Sequence, residues 1–274
     1  MTKLSRSFCL LKLCGLKAVL AGMLAGAVIG AASAQISDFG QPPPHLHERY
    51  VSCLYGAQAD PVGRQELTRL WLEEIAEQEE LDIDALVLAN HCLASALFEA
   101  QDYVGAAQLY LSISETTGVE GVEARGELLM QAGAAFFADG LAQQAAQAQR
   151  LAADLIPWDP APYLDLAFSL QAMGELEGAI KALDTAIALA PQEPELQLLR
   201  ATALRQGEEY SAALRGLNDL LVGWPGYGPA LLERGVVKRV MGDVEGAAVD
   251  WLQLVELYPT SDWAKIATEN LENL

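Results

Sequence analysis

The sequence predicts an all-α protein, a right-handed α-solenoid of stacked antiparallel helix pairs. Three spacings predict it. Ala179, Ala213 and Ala247 recur at one fixed interval of about 34 residues. Pro191, Pro225 and Pro259 keep the same interval, and Gly174 and Gly242 lie two such intervals apart. A fixed period in this range marks an architecture in which each unit buries its apolar face only against its neighbours.

The unit 160–193 shows why the repeat is physically coherent. With Pro160 counted as position 1, Tyr163, Leu166, Ala167 and Leu170 fall at positions 4, 7, 8 and 11, one apolar helical face. Asp159 is placed to cap that helix, and Pro160 and Pro162 sit in its first turn, where a missing N–H costs little. Gly174 suits the left-handed residue that ends it. Leu176, Ala179, Leu183, Ala186 and Leu189 mark the inward face of a second helix, which Pro191 cannot continue. Ala167 and Ala179 are small where the two helix axes approach most closely.

The chain opens differently. Residues 1–34 carry Lys3, Arg6, Lys12 and Lys17 and no acid. Ala18 to Ala34 is uncharged and ends Ala32-Ser33-Ala34, the layout of a cleavable signal peptide. An uncut membrane anchor is the alternative, but the run is short for a span and rich in Gly and Ala. Removing four of the 17 Lys+Arg leaves 13 against 37 Asp+Glu, a formal charge of −24. That surface repels nucleic acid and anionic lipid. Export points to a periplasmic or secreted protein with no stable membrane insertion after cleavage.

Residues 35–47 read as a Pro-rich linker, extended by Pro42-Pro43-Pro44. His45 and His47 lack a third ligand beside them, so no metal site is expected there. Residues 48–86 read as a divergent helical cap, with helices from Glu48 to Tyr55 and from Arg64 to Gln78. Leu67, Leu70, Trp71 and Ile75 are expected on the buried face of the second. Two cysteines remain after cleavage, Cys53 and Cys92. An even count in an exported chain predicts a disulfide, closing a loop of about forty residues and contributing about 3–5 kcal/mol. The alternative is two small buried side chains.

The solenoid itself is expected over residues 87–261, in units 87–120, 126–159, 160–193, 194–227 and 228–261. About five extra residues near Gly118 to Arg125 break the phase after the first unit. The first unit carries Ala94, Leu97, Tyr103, Ala106 and Tyr110, and the second Leu129, Ala132, Gly133, Phe136, Gly140, Ala145, Ala152 and Pro157. The fourth carries Ala201, Leu204, Tyr210, Ala213, Leu217 and Pro225, and the fifth Leu231, Gly235, Gly242, Ala247, Trp251, Leu254 and Pro259. Both of the last two place an arginine, Arg200 and Arg234, at position 7. Residues 262–274 read as a capping helix begun by Ser261, with Trp263 and Ile266 inward. This pattern resembles the tetratricopeptide repeat (TPR), whose family has small residues at positions 8, 20 and 27 and proline at 32.

The resemblance implies a binding scaffold. In the family, positions 2, 5, 6, 9, 12 and 13 of each first helix line a concave groove. Carried over to this chain, they place Phe137, Phe168, Arg205 and Arg239 on that wall. The family's clamp for a terminal carboxylate needs Lys at 5 and Asn at 9; here position 5 holds His91, Met130 and three leucines, so that clamp is absent. Arg205 and Arg239 both fall at position 12, one repeat apart, and with the two phenylalanines are expected to hold a protein or peptide partner carrying acidic residues. Charge compensation is the plainer reading of the cations clustered over residues 200–239. No cofactor is implied. The chain shows no Gly-x-Ser-x-Gly, P-loop, His-Glu-x-x-His or Cys-x-x-Cys motif, so no enzyme is expected. The alternative is an envelope hydrolase acting on glycans through a carboxylate pair.

Overall fold

The computed structural model describes residues 42–55, 60–116 and 121–274. The expected leader, residues 35–41 of the linker and residues 118–120 of the phase-breaking insert lie outside the described residues. The described residues form thirteen α-helices: α1 (Pro44–Tyr55), α2 (Pro61–Ala76), α3 (Ile83–Glu99), α4 (Tyr103–Ser114), α5 (Val122–Ala138), α6 (Ala142–Leu155), α7 (Ala161–Ala172), α8 (Leu176–Leu189), α9 (Pro194–Gln206), α10 (Tyr210–Gly223), α11 (Gly228–Val240), α12 (Val244–Leu257) and α13 (Asp262–Glu272). From α2 onward each helix packs on its sequence neighbours. Odd-numbered helices also meet the next odd one, as in α1–α3, α5–α7, α9–α11 and α11–α13, while even-numbered helices stand further apart. The odd helices therefore form the inner wall of an all-α helical-hairpin solenoid.

Each hairpin turn repeats one backbone device. The N–H of position 16 donates to the carbonyl of position 11: Asp102 to Leu97, Leu141 to Phe136, Glu175 to Leu170, Glu209 to Leu204 and Asp243 to Lys238. Position 15 between them is left-handed. Gly140, Gly174 and Gly242 take it at φ 79°, 78° and 91°, whereas Gln101 and Glu208 take it at 65° and 62° despite their Cβ atoms. The second helix of each later unit then stops two residues before its proline. Ile156, Ala190, Trp224 and Tyr258 close the last helical turns, and Pro157, Pro191, Pro225 and Pro259 force them off helical geometry.

Within each hairpin, a small residue at position 8 is matched in the repeat by a larger one at position 24. The pairs are Ala94 with Tyr110, Gly133 with Gln149, Ala167 with Leu183, Ala201 with Leu217, and Gly235 with Trp251. The two glycines stand opposite the long side chains for a steric reason. A Cβ on Gly133 would lie 2.9 Å from Gln149 Cγ, and one on Gly235 would lie 2.7 Å from Trp251 Cδ1. Trp251 is fully buried, and its indole N–H donates to the Leu232 carbonyl at 3.1 Å.

The N-terminal end departs from expectation in three places. Helix α1 starts at Pro44, so His45 and His47 lie in its first turn rather than in a linker; proline at the first helical position loses no hydrogen bond. Helix α3 starts at Ile83, ahead of the expected start of the first unit at Val87, because Asp82 accepts from Ala85 N–H at 2.9 Å and caps it there. The buried face of α2 is Arg64, Thr68, Trp71 and Ile75, not the expected leucines: Leu67 and Leu70 are 61% and 46% exposed. The long stem of Arg64 fills the interior while its guanidinium pairs with Glu99. Cys53 and Cys92 are bridged, with Cα atoms 6.2 Å apart, tying α1 to α3 across α2. At the other end Ser261 accepts from Ala264 N–H at 3.1 Å and starts α13 where the sequence placed it.

The size-matched pair yields a test. Gly235→Ala should destabilise the fold by about 1–3 kcal/mol through overpacking. Adding Trp251→Leu recreates the Ala–Leu pair of the two preceding units. The double variant should therefore lose less in urea titration than the two single losses added together; strict additivity would show that the two side chains do not share one space.

Candidate functional site

The odd helices supply the wall. Phe98 and Phe137 (position 12), Leu164 and Leu198 (position 5) and Val236 (position 9) are each partly exposed along α3, α5, α7, α9 and α11. Phe98 and Phe137 share one position of successive units, and Leu164 and Leu198 share another, so each of these two pairs lies side by side; Phe98, Leu164, Leu198 and Val236 also pack against the hydrophobic cores. Phe137 also packs against the N-terminal core. Phe168 is 7% exposed and so belongs to the interior more than to the groove.

The arginines are already engaged. Arg205 Nε donates to Glu233 Oε1 at 2.5 Å, with side chains 11% and 6% exposed. This pair joins position 12 of one first helix to position 6 of the next, α9 to α11. The sequence had offered Arg205 as an open cation for an acidic partner; its charge is spent on Glu233. Sequence reasoning missed Glu233 because its partner stands on the neighbouring odd helix, not at helical spacing along its own. Arg239 Nη2 donates to the Asn273 carbonyl at 2.8 Å, placing its charge at the C-terminal end of α13, which the helix dipole favours.

The neighbouring cations follow the same plan. Arg200 Nε donates to Asp184 Oδ1 at 2.5 Å, and Arg234 Nη1 to Asn218 Oδ1 at 3.1 Å. In both, position 7 of a unit reaches back to position 25 of the unit before. Arg234 also grips both oxygens of Asp250, and Lys238 Nζ lies 2.8 Å from the same carboxylate, which is 1% exposed. The arginines at position 7 are clasps between repeats, in line with charge compensation.

A buried polar chain links α1, α3 and α5. Gln131 Oε1 can only accept from His91 Nε2–H, at 3.0 Å, so His91 Nδ1 accepts from the Tyr50 hydroxyl at 2.9 Å. Burial holds the His91 pKa down to about 4, with the Gln131 bond opposing it. Gln131 Nε2 in turn donates to Glu127 at 3.4 Å. Further along the wall, Asp165 on α7 behaves in the opposite sense. It keeps some access to solvent, yet burial in the wall pushes its pKa up to about 7, and the charges of Glu127 and Asp159 add to the rise. Among the described residues, no group of three or more His, Cys, Asp or Glu is disposed to hold a metal, and no helix is long and apolar enough to cross a membrane.

No family model and no curated protein matches the chain. Solved structures do match. A crystal structure of MamA is 18% identical, over 61% of this chain and 95% of its own, with a TM-score of 0.54. The crystal structure of YrrB, described as a TPR protein with an unusual peptide-binding site, is 16% identical over 75% of this chain and 99% of its own, with a TM-score of 0.53. The TPR-like repeats of a Podospora anserina protein described as a kinesin light chain are 15% identical over 65% and 97%, with a TM-score of 0.55. At these identities the likeness is one of fold: the chain has the tetratricopeptide-type solenoid.

Arg205→Ala would leave Glu233 buried beside no cation and should cost about 3 kcal/mol. Replacing both, as Arg205→Met with Glu233→Leu, should recover at least half of that loss in the urea midpoint. If the double variant is no more stable than Arg205→Ala, the pair is not what holds α9 against α11.

Proposed function

We propose that this chain is a protein-binding scaffold or assembly factor of the cell envelope, not an enzyme, and that it holds a peptide segment of its partner in the groove of odd helices. The observation that carries the reading is that Phe98, Phe137, Leu164, Leu198 and Val236, one apolar residue on each of five successive inner helices, are left partly exposed. Side chains that keep solvent contact on a concave wall supply the area an extended or helical peptide buries. The solenoid likeness to a TPR protein with a peptide-binding site supports the same reading. A photo-cross-linking residue at Leu164 or Leu198 should capture one discrete protein from envelope extract. The same residue at Val249, exposed on the outer helix α12, should not. Equal capture from both faces would remove the groove from the account.

The envelope assignment draws on the basic, then uncharged, leader and on the Cys53–Cys92 bridge, since disulfides persist in oxidising compartments. Mass spectrometry of the protein isolated from cells should find Gln35 at its N-terminus, and reductant should add two daltons for the two thiols. A mass that still contains residues 1–34 would favour the anchored alternative. The glycan-hydrolase reading would draw on Asp165 and Glu127, the former with its proton held towards neutrality. Turnover of cell-wall material that Asp165→Asn abolishes would replace the scaffold reading.

A further inference from the structure

Glu233 and Asp165 are equivalent residues. Both stand at position 6 of a first helix, two repeats apart. Glu233 meets the guanidinium of Arg205, which stands at position 12 of the preceding first helix. At position 12 of the first helix that precedes Asp165 stands Phe137. The two helix pairs that carry these positions, α9–α11 and α5–α7, are each in contact along the inner wall. The protein thus contains one buried carboxylate with its arginine in place, and a second, partly exposed, at the equivalent repeat position, where phenylalanine stands at the arginine's position in the preceding unit. Among the described residues no cation and no hydrogen-bond donor meets Asp165.

We propose that Asp165 and Phe137 form a slot for an arginine side chain of the bound peptide, which takes the place that Arg205 takes against Glu233. The proposal rests on the groove reading and names the chemistry of its occupant. A planar guanidinium fits the pair. One edge donates to the carboxylate, and its face lies on the ring, whose quadrupole attracts a cation. Desolvation raises the energy of an unpaired Asp165 carboxylate, which is the physical cause of its upward titration. An incoming cation removes that penalty, so part of the binding energy is relief of strain already present in the free protein. The adjoining Leu164 and Leu198 favour apolar residues on either side of the arginine. The formal charge of −24 after loss of the leader draws a basic segment to the wall before it docks. This reverses the acidic partner that Arg205 and Arg239 had suggested, because those two cations are engaged within the chain.

The probe is a fluorescein-labelled nonapeptide of alternating Ser and Leu with one central Arg, paired with the same peptide carrying neutral, isosteric citrulline. Anisotropy is read at about pH 8, where Asp165 is ionised. The arginine peptide should bind at least about tenfold more tightly than the citrulline peptide. Asp165→Asn should abolish that difference, and Asp219→Asn, on the exposed face of α10, should leave it intact. A second variant, Phe137→Arg, should fill the slot from within, lose the discrimination and keep the helical spectrum. Equal binding of the two peptides by the parent protein overturns the slot and leaves the groove reading standing, since both are still held. Discrimination that survives Asp165→Asn also overturns it, showing only diffuse attraction to an acidic surface. If neither peptide binds, the slot is overturned, and cross-linking from Leu164 decides the groove by itself.

Discussion

The solenoid depends on how closely the two helices of each hairpin approach, and one contact sets that distance. The residue at position 8 must leave room for the side chain at position 24. Where position 24 is Leu183 or Leu217, an alanine suffices; where it is Trp251, only Gly235 leaves the space. Each pair thus sets a small residue at position 8 against a larger one at position 24. Constant spacing within hairpins lets successive units stack in register. Without it neither the two clasps from position 7 to position 25 nor the one from Arg205 to Glu233 would close.

Two kinds of fastening divide the molecule. Towards the C-terminus, repeats are joined by arginines reaching back or forward to a neighbouring unit, Arg200 to Asp184, Arg234 to Asn218 and Arg205 to Glu233, while Arg234 also pairs with Asp250 inside its own unit. Towards the N-terminus the joints are the Tyr50–His91–Gln131 chain, the Arg64–Glu99 pair and a covalent bridge. The clustering of cations over residues 200–239 thereby has a structural cause. At Glu233 and Asp250 the cations stand where a carboxylate has been taken out of water, which is where an unopposed charge costs most, whereas Arg200 and Asp184 pair at the surface.

Much of the fold was legible because a single repeating period constrains every unit at once. Pro191 alone says little, but Pro191, Pro225 and Pro259 in phase mark three helix ends. The same reasoning weakened where the period stops. In α2 the hydrophobic pattern pointed to Leu67 and Leu70, whereas the interior takes Arg64 and Thr68, whose polar atoms find partners there. The inner wall was legible as a set of positions but not as a set of charges. Position 12 of one unit meets position 6 of the next, so Arg205 and Glu233 are related by the superhelix rather than by the helix. Periodicity within a helix carries no trace of that. Comparing Glu233 with Asp165 at the same position, and then looking back to position 12 of the unit before each, would have exposed the difference between them.

The bridge between Cys53 and Cys92 has a consequence for how the stack comes apart. A linear array of repeats opens from its termini, since an end unit has one neighbour to lose and an inner unit has two. Here one terminus is stapled across an intervening helix, so α1, α2 and α3 form a loop that cannot peel away singly. The opposite terminus is closed by α13, held by apolar packing and by hydrogen bonds such as that from Arg239 to the Asn273 carbonyl. Among the described helices, opening therefore has a direction, running from α13 towards α1. A protease or a pulling force meets the array as a zipper with one open end.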